Sequence, residues 1–236
     1  MNIRQAKLLC AIIDQFIQTA VPVGSKNLLQ AAGFDVCGAT IRNEMRFLCE
    51  EGYLEQPHVS AGRIPTAKGY RVYVGEYMAP TTQEKKVRQR FESLKDRYFK
   101  RKDQERVYEA VALLSHMMPN VAFATVPHKD QVYYLGLANA LRQPEFQMNP
   151  LLATGVCEVL ESRLHDLVGN VTVDDKVRSY IGEDHLLPQI QSCAMMITRY
   201  GEQGVVGILG PMRMDYPYNH VALDIAAGLL RSYFRG

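Results

Sequence analysis

The residues best suited to chemistry lie on one predicted helix, over residues 39–48. Apolar residues recur there at helical spacing and predict one buried face: Ile41, Met45, Leu48 and Cys49. The residues left facing outward are small, polar or basic: Ala39, Thr40, Arg42, Asn43 and Arg46. Arginine can pair with guanine, and asparagine with adenine, through two hydrogen bonds each. Arg42 and Asn43 are therefore candidates to contact base edges, whereas Thr40 and Arg46 are candidates to bind phosphates.

The charges on this outward face favour a bound partner. Arg42 and Arg46 are one helical turn apart, where like charges destabilise an isolated helix by about 0.2–0.5 kcal/mol. Glu50 can offset Arg46, but no acidic residue lies three or four positions from Arg42. The alternative is a polar face that is merely solvated.

The segments around this helix predict a winged helix-turn-helix. An amphipathic helix over residues 4–19 comes first, followed by a short helix over 26–32 for which Ser25 is the expected N-cap. After the helix over 39–48, residues 53–56 predict a strand and 58–62 a flexible hairpin tip. Because the second helix of such a motif enters the major groove, neighbouring side chains are candidate DNA contacts. They are Ser25 and Lys26 before it, and His58, Ser60 and Arg63 in the wing.

Length and composition fit a cytoplasmic protein of one large domain or two ordinary ones. The chain has 236 residues, 47% of them hydrophobic, and no run of about 18 apolar residues that would span a membrane. The net charge of +2 divides into +1 for residues 1–82, +5 for 83–106 and −4 for 107–236. We expect a DNA-binding domain, a basic helical linker and a regulatory or dimerisation domain with these boundaries. The basic excess of the linker fits either a phosphate backbone or a solvated surface.

The sequence offers little for an enzyme. It contains no glycine-rich phosphate loop and no cysteine or histidine cluster at metal-ligand spacing, so we expect no catalytic residue, metal or cofactor. The one unusual polar cluster of the mixed α/β region after residue 107 holds Arg213 and Asp215. This cluster fits a ligand or partner site, or equally a structural turn in which the two residues pair.

Several motifs resemble the family of the heat-inducible repressor HrcA. The most specific is the run Gln56-Pro57-His58-Val59-Ser60-Ala61-Gly62-Arg63-Ile64-Pro65-Thr66. Others are Pro22-Val23-Gly24-Ser25, Ala39-Thr40-Ile41-Arg42-Asn43-Glu44-Met45, Gly136-Leu137-Ala138-Asn139 and Gly207-Ile208-Leu209-Gly210-Pro211-Met212-Arg213-Met214-Asp215-Tyr216. The matches extend along the whole chain.

The resemblance implies a bacterial repressor of chaperone genes that binds an inverted-repeat operator in double-stranded DNA. It further implies an α+β fold with a GAF-like C-terminal domain, a homodimer, release on heat stress, and activity maintained by a GroEL-type chaperonin. Two features depart from the family. Cys37-Gly38 replaces the usual start of the second helix, and the chain is shorter, with a reduced or absent dimerisation insert.

Because the insert is reduced, we expect the helices over residues 83–118 and the C-terminal sheet to supply the dimer contact. Two other functions stay open at this point. One is a ligand-gated regulator that senses a small molecule near Arg213 and Asp215. The other is a winged helix used only for protein interaction, which predicts no salt-dependent DNA binding.

Overall fold

A computed structural model describes residues 1–31, 34, 36–99, 106–127, 131–185 and 187–234. The chain divides into two compact units, residues 1–78 and 79–236. The first is mainly helical with a small hairpin, and the second combines helices with a five-stranded sheet. The predicted α+β class is confirmed.

The described residues of the first unit form four helices and one hairpin. In chain order they are α1 (Ile3–Thr19), α2 (Ser25–Ala31), α3 (Gly38–Glu50), β1 (Leu54–Glu55), β2 (Ile64–Pro65) and α4 (Ala67–Val72). A π-helical turn, Tyr73–Tyr77, continues α4. The strands pair antiparallel, with Leu54 opposite Pro65 and Glu55 opposite Ile64.

Local sequence signals explain where these helices begin. Asn2 caps α1, and the Gln5 side chain accepts a hydrogen bond from the Asn2 backbone in return, which completes a capping box. The Thr66 hydroxyl accepts from the Gly69 amide at the start of α4 and donates to the carbonyl of Gly52, two residues after the end of α3. Helix α2 begins at Ser25 itself rather than after it. These caps fix the position of α3 between its neighbours.

The second unit contains seven helices and five strands among its described residues. They are α5 (Glu84–Tyr98), α6 (Arg106–Met117), β3 (Val121–Thr125), β4 (Val132–Leu135), α7 (Leu137–Leu141), α8 (Pro144–Met148), α9 (Pro150–Ser162), α10 (Leu164–Gly169), β5 (Arg178–Ile181), β6 (Cys193–Tyr200), β7 (Gly204–Pro211) and α11 (Tyr216–Phe234). Short 3-10 turns occupy Pro80–Thr82, Gly182–His185 and Pro188–Ile190.

The sheet of the second unit has the order β4-β3-β7-β6-β5, and all its pairs are antiparallel. Helices α8, α9 and α10 pack on one face, where Phe123, Met195 and Leu209 join Phe146 and Val159 in a fully buried core. Helices α6 and α11 contact the strands as well. Each large apolar side chain buried here stabilises the fold by about 1.5–3 kcal/mol. At Gly207 a side chain would meet the Phe123 ring at 2.6 Å, so glycine makes room for it.

The predicted linker over residues 83–106 includes α5, which lies within the second unit. Val87 and Phe91 are buried, and α5 packs against α6 and α11. Helix α5 thus belongs to the compact unit of residues 79–236. The part of the predicted linker over 100–105 lies outside the described residues.

Two further segments differ from the sequence-based expectation. The helical spacing of apolar residues over 151–168 predicts a single helix, but the structure has two helices that meet at Arg163, whose φ of −132° is not helical. The residues over 171–173 are typical of a short strand, but no strand forms there: the Tyr180 hydroxyl and the Arg199 guanidinium donate to the Thr172 and Val173 carbonyls instead.

Candidate nucleic-acid interface

Helix α3 has one buried face and one face open to solvent. Ile41, Met45 and Leu48 are at most 4% exposed and pack in the core of the first unit. The residues predicted to face outward do so: Ala39, Arg42, Asn43 and Arg46 are exposed, and Thr40 is half-buried. We call these five residues the outer face. Every residue of the predicted contact set on this helix therefore lies on one surface.

The start of α3 carries a thiol instead of the usual hydroxyl or carboxamide cap. The Cys37 sulfur lies 3.3 Å from the Thr40 hydroxyl, and the Cys37 side chain makes no capping bond to the backbone. This hydroxyl and the nearby backbone amides lower the pKa of the Cys37 thiol from its ordinary value. The first turn of α3 thus offers its amide groups to solvent beside the outer face.

The charged residues of α3 are not equally compensated. Arg46 lies 3.7 Å from Glu50, as its i,i+4 spacing predicts. Glu44 pairs with Arg4 of α1, whose Nε donates at 3.0 Å. For Arg42, no hydrogen bond or ion pair joins the guanidinium to any other residue that the structure describes. The outer face therefore presents the positive charge of Arg42 without a compensating acid among the described residues, while Glu44 of the same helix is paired with a residue 40 positions away.

The Arg4–Glu44 pair predicts acid sensitivity of the first unit. The Arg4 guanidinium holds the pKa of the Glu44 carboxyl below its usual value of 4.5 in the folded chain. The pair therefore stabilises fully above pH 4.5, and this contribution is lost as pH falls through the lowered pKa. We expect Glu44→Gln to lower the melting temperature at pH 7 by about 2 °C, with the gap closing at acid pH.

Thermal unfolding of the full chain between pH 7 and pH 3 measures this effect. Glu51→Gln serves as the matched control, because Glu51 is an exposed carboxylate at the end of the same helix. The prediction would be contradicted if the difference in melting temperature between the wild type and Glu44→Gln stayed constant across this pH range.

The hairpin loop, residues 56–63 between β1 and β2, lies beyond the end of α3. His58 and Ser60 are exposed at its tip, with the His58 Nδ1 atom 3.2 Å from the Ser60 hydroxyl. Arg63 is half-buried, and its Nη1 group donates to the Ala61 carbonyl at 3.4 Å. His58 and Ser60 are therefore placed to contact a partner directly, whereas Arg63 is partly used within the loop.

The base of the hairpin loop is tied to the segment before α2. Val23 and Arg63 exchange two backbone hydrogen bonds of 2.9 Å. Ser25 and Lys26 follow two and three residues after Val23, half-buried and exposed respectively. The predicted supporting contacts thus lie next to the loop that carries the predicted wing contacts.

Arg213 and Asp215 of the second unit are both engaged in structural contacts. The Arg213 Nε and Nη2 groups donate to the Glu145 carboxylate at 2.5 and 3.2 Å. The Asp215 side chain accepts from the Tyr218 amide at the first turn of α11. Glu145 lies 68 positions from Arg213, so no local pattern of the sequence indicates this pair.

Loss of the Arg213–Glu145 pair should destabilise the second unit. Both side chains are mostly buried, at 13% and 26% exposure, so Arg213→Met leaves a poorly solvated carboxylate. We expect the free energy of unfolding to fall by about 2 kcal/mol. Urea unfolding measures it, with Arg142→Met as the control because Arg142 is an exposed arginine three residues before Glu145. Unchanged stability of Arg213→Met would show that the pair is solvated rather than structural.

Much of the basic charge on α5 is satisfied within the second unit. Arg88 pairs with Glu84 at 2.8 Å and Lys95 with Glu92 at 3.8 Å. The Arg90 guanidinium donates to the His116 carbonyl. Of the two readings of this basic stretch, these contacts favour a structural, solvated surface.

Comparison with known proteins identifies the family of the chain. The family model described as HrcA protein C terminal domain matches residues 75–218, more than half of the chain. The chain belongs to the HrcA family. Two relatives named heat-inducible transcription repressor HrcA match almost end to end. The one from Desulforudis audaxviator is 28% identical, with 90% of this chain and 92% of the relative covered. The one from Brevibacillus brevis is 27% identical, with 97% and 96% covered.

A shorter stretch of the chain is more similar to another relative. An HrcA from Natranaerobius thermophilus is 54% identical over 76 residues, which are 32% of this chain and 22% of the relative. The alignment with the Desulforudis protein spans 323 positions, more than the 236 residues of this chain, so that relative carries residues without a counterpart here. This agrees with the shortening that the sequence indicated.

One solved structure shares the fold of the chain. It is described as a hypothetical protein at 2.2 Å resolution and has a TM-score of 0.76 and 18% sequence identity, with 99% of this chain and 97% of that chain covered.

Within the described ranges, no helix has the length and apolar character needed to cross a membrane. The same ranges contain no group of three or more side chains placed to hold a metal ion.

Proposed function

We propose that the chain is a transcription repressor that binds an inverted-repeat operator in double-stranded DNA as a homodimer and leaves it on heat stress. The outer face of α3 carries this proposal. Arg42 and Asn43 are exposed there, opposite an apolar face that anchors the helix, and Arg42 has no compensating acid among the described residues. The relatives, which are heat-inducible transcription repressors named HrcA, support it independently.

In this proposal the first unit is a winged helix-turn-helix. Helix α3 lies in the major groove of one half-site, and half-sites are spaced by about 34–36 Å or a multiple of it. Arg42 and Asn43 contact base edges, while Thr40, Arg46, Ser25 and Lys26 bind phosphates and set the register. The hairpin loop acts as the wing and brings His58, Ser60 and Arg63 to the backbone or minor groove.

The second unit then acts as a GAF-like regulatory and dimerisation domain. Heat release requires no ligand if this unit loses its fold on heating and competes with other unfolded proteins for a GroEL-type chaperonin. Arg213 and Asp215 bind other groups of the chain, so no observation favours a small-molecule signal at that cluster. The function needs no catalytic residue.

Duplex binding across a range of salt concentrations tests the proposal. The probes are the duplex that wild-type chain enriches from a random library and a scrambled duplex of equal length. We expect the enriched duplex to contain an inverted repeat, to bind about 10³-fold or more tightly than the scrambled one, and to lose affinity steeply with salt. Light scattering should show a dimer. Equal, salt-independent binding of both duplexes would overturn the proposed function.

A further inference from the structure

The side chain of Gln56 spans the hairpin loop from within. Its Nε2 group donates to the Val59 carbonyl at 2.8 Å and to the Ala61 carbonyl at 3.0 Å. Both hydrogens of the carboxamide are therefore used, three and five residues ahead in the chain. The Ala61 amide closes the same loop by donating to the His58 carbonyl at 2.8 Å. Together these bonds define the path of the backbone from His58 to Ala61.

The loop held in this way presents its tip to solvent. Val59 is 97% exposed, and His58 and Ser60 on either side of it are exposed as well. Below the tip, the paired bonds between Val23 and Arg63 tie the loop to the rest of the first unit. A free loop would have to be ordered when it meets a partner, which weakens binding, whereas a preformed one avoids that cost.

We propose that Gln56 is a positioning residue for DNA binding: its carboxamide holds the hairpin loop in the shape that presents His58, Val59 and Ser60 to the duplex. Gln56 acts on the backbone of the loop and needs no contact with DNA itself. In the bound state the isopropyl group of Val59 packs on the sugar edge of the groove between the polar contacts of His58 and Ser60. This inference rests on the proposed function.

Gln56→Met tests the role, because methionine keeps the length and neutrality of the side chain and removes both donors. We expect the full-length variant to bind the enriched duplex about ten-fold more weakly with an unchanged melting temperature. Gln18→Met is the matched control, since Gln18 is exposed on α1, and should bind as the wild type does.

A double-mutant cycle separates positioning from a general structural role. A tip variant combines His58→Ala, Val59→Ala and Ser60→Ala. If Gln56 acts through the tip, Gln56→Met added to the tip variant should cost no further affinity. Full additivity of the two losses, or a Gln56→Met variant that binds as the wild type does, would overturn the inference.

Hydrogen exchange of the unbound wild-type chain provides a test that does not depend on any variant folding. The Ala61 amide should exchange more slowly than in an unstructured peptide, because it donates within the preformed loop. Exchange at the unstructured rate would show that the loop is not held before binding. A wild-type chain that binds neither duplex would instead refute the proposed function and leave these exchange results standing on their own.

Discussion

Arg42→Ala is expected to reduce affinity for the enriched duplex about 30-fold while changing affinity for the scrambled duplex by only about two-fold. The reason is that a bidentate arginine–guanine pair contributes about 1–3 kcal/mol of discrimination, whereas a phosphate contact contributes to every sequence alike. Arg42 is exposed and has no competing acid among the residues described by the structure, so its guanidinium is free to turn toward a base.

Two comparison variants make this measurement specific. Arg46→Ala should weaken both duplexes equally, because Arg46 is assigned to phosphate and is partly neutralised by Glu50. Arg97→Ala removes an exposed arginine from α5 of the second unit and should change neither affinity. Equal losses on both duplexes for Arg42→Ala would reassign Arg42 from base reading to phosphate binding.

Gly62→Ala is expected to lower the free energy of unfolding of the first unit by about 2–3 kcal/mol. A Cβ atom at this position would lie 2.5 Å from the Val23 carbonyl carbon, 2.6 Å from its oxygen and 2.7 Å from the Pro22 carbonyl carbon. These are backbone atoms that cannot rotate away, so the bridge between Val23 and Arg63 must open. Operator affinity should fall with it, because the hairpin loop loses its anchor.

Thermal and urea unfolding of the full chain measure the Gly62→Ala effect. Gly75→Ala is the matched control, because a side chain at the exposed Gly75 would meet nothing within 4 Å. An unfolding transition of Gly62→Ala that coincides with that of Gly75→Ala would mean that the chain relaxes at this contact without cost.

The sequence predicted features that depend on local pattern. The apolar stripe of α3 predicted its buried face, and the i,i+4 spacing predicted the Arg46–Glu50 contact. Thr66 caps α4, as a threonine directly before a helix predicts. In each case the interacting groups are close in the chain, so helical geometry alone specifies the contact.

Contacts between distant segments could not be predicted in this way. Arg4 and Glu44 are separated by 40 positions, and Arg213 and Glu145 by 68, so no periodicity connects them. Gln56 was missed for a different reason. Its partners are backbone carbonyls, which every residue type carries, so the sequence of the loop gives no signal that they bind a side chain.

The position of β7 has a consequence for how the protein is synthesised. This strand lies in the middle of the sheet, between β3 and β6, yet it is the last strand along the chain. A nascent chain that ends before residue 204 therefore leaves β3 without its central neighbour. The first unit is complete once 78 residues have emerged, but the sheet must wait until nearly all have. The second unit consequently folds after the first. During synthesis its apolar strands stay exposed to solvent for longer than the core of the first unit.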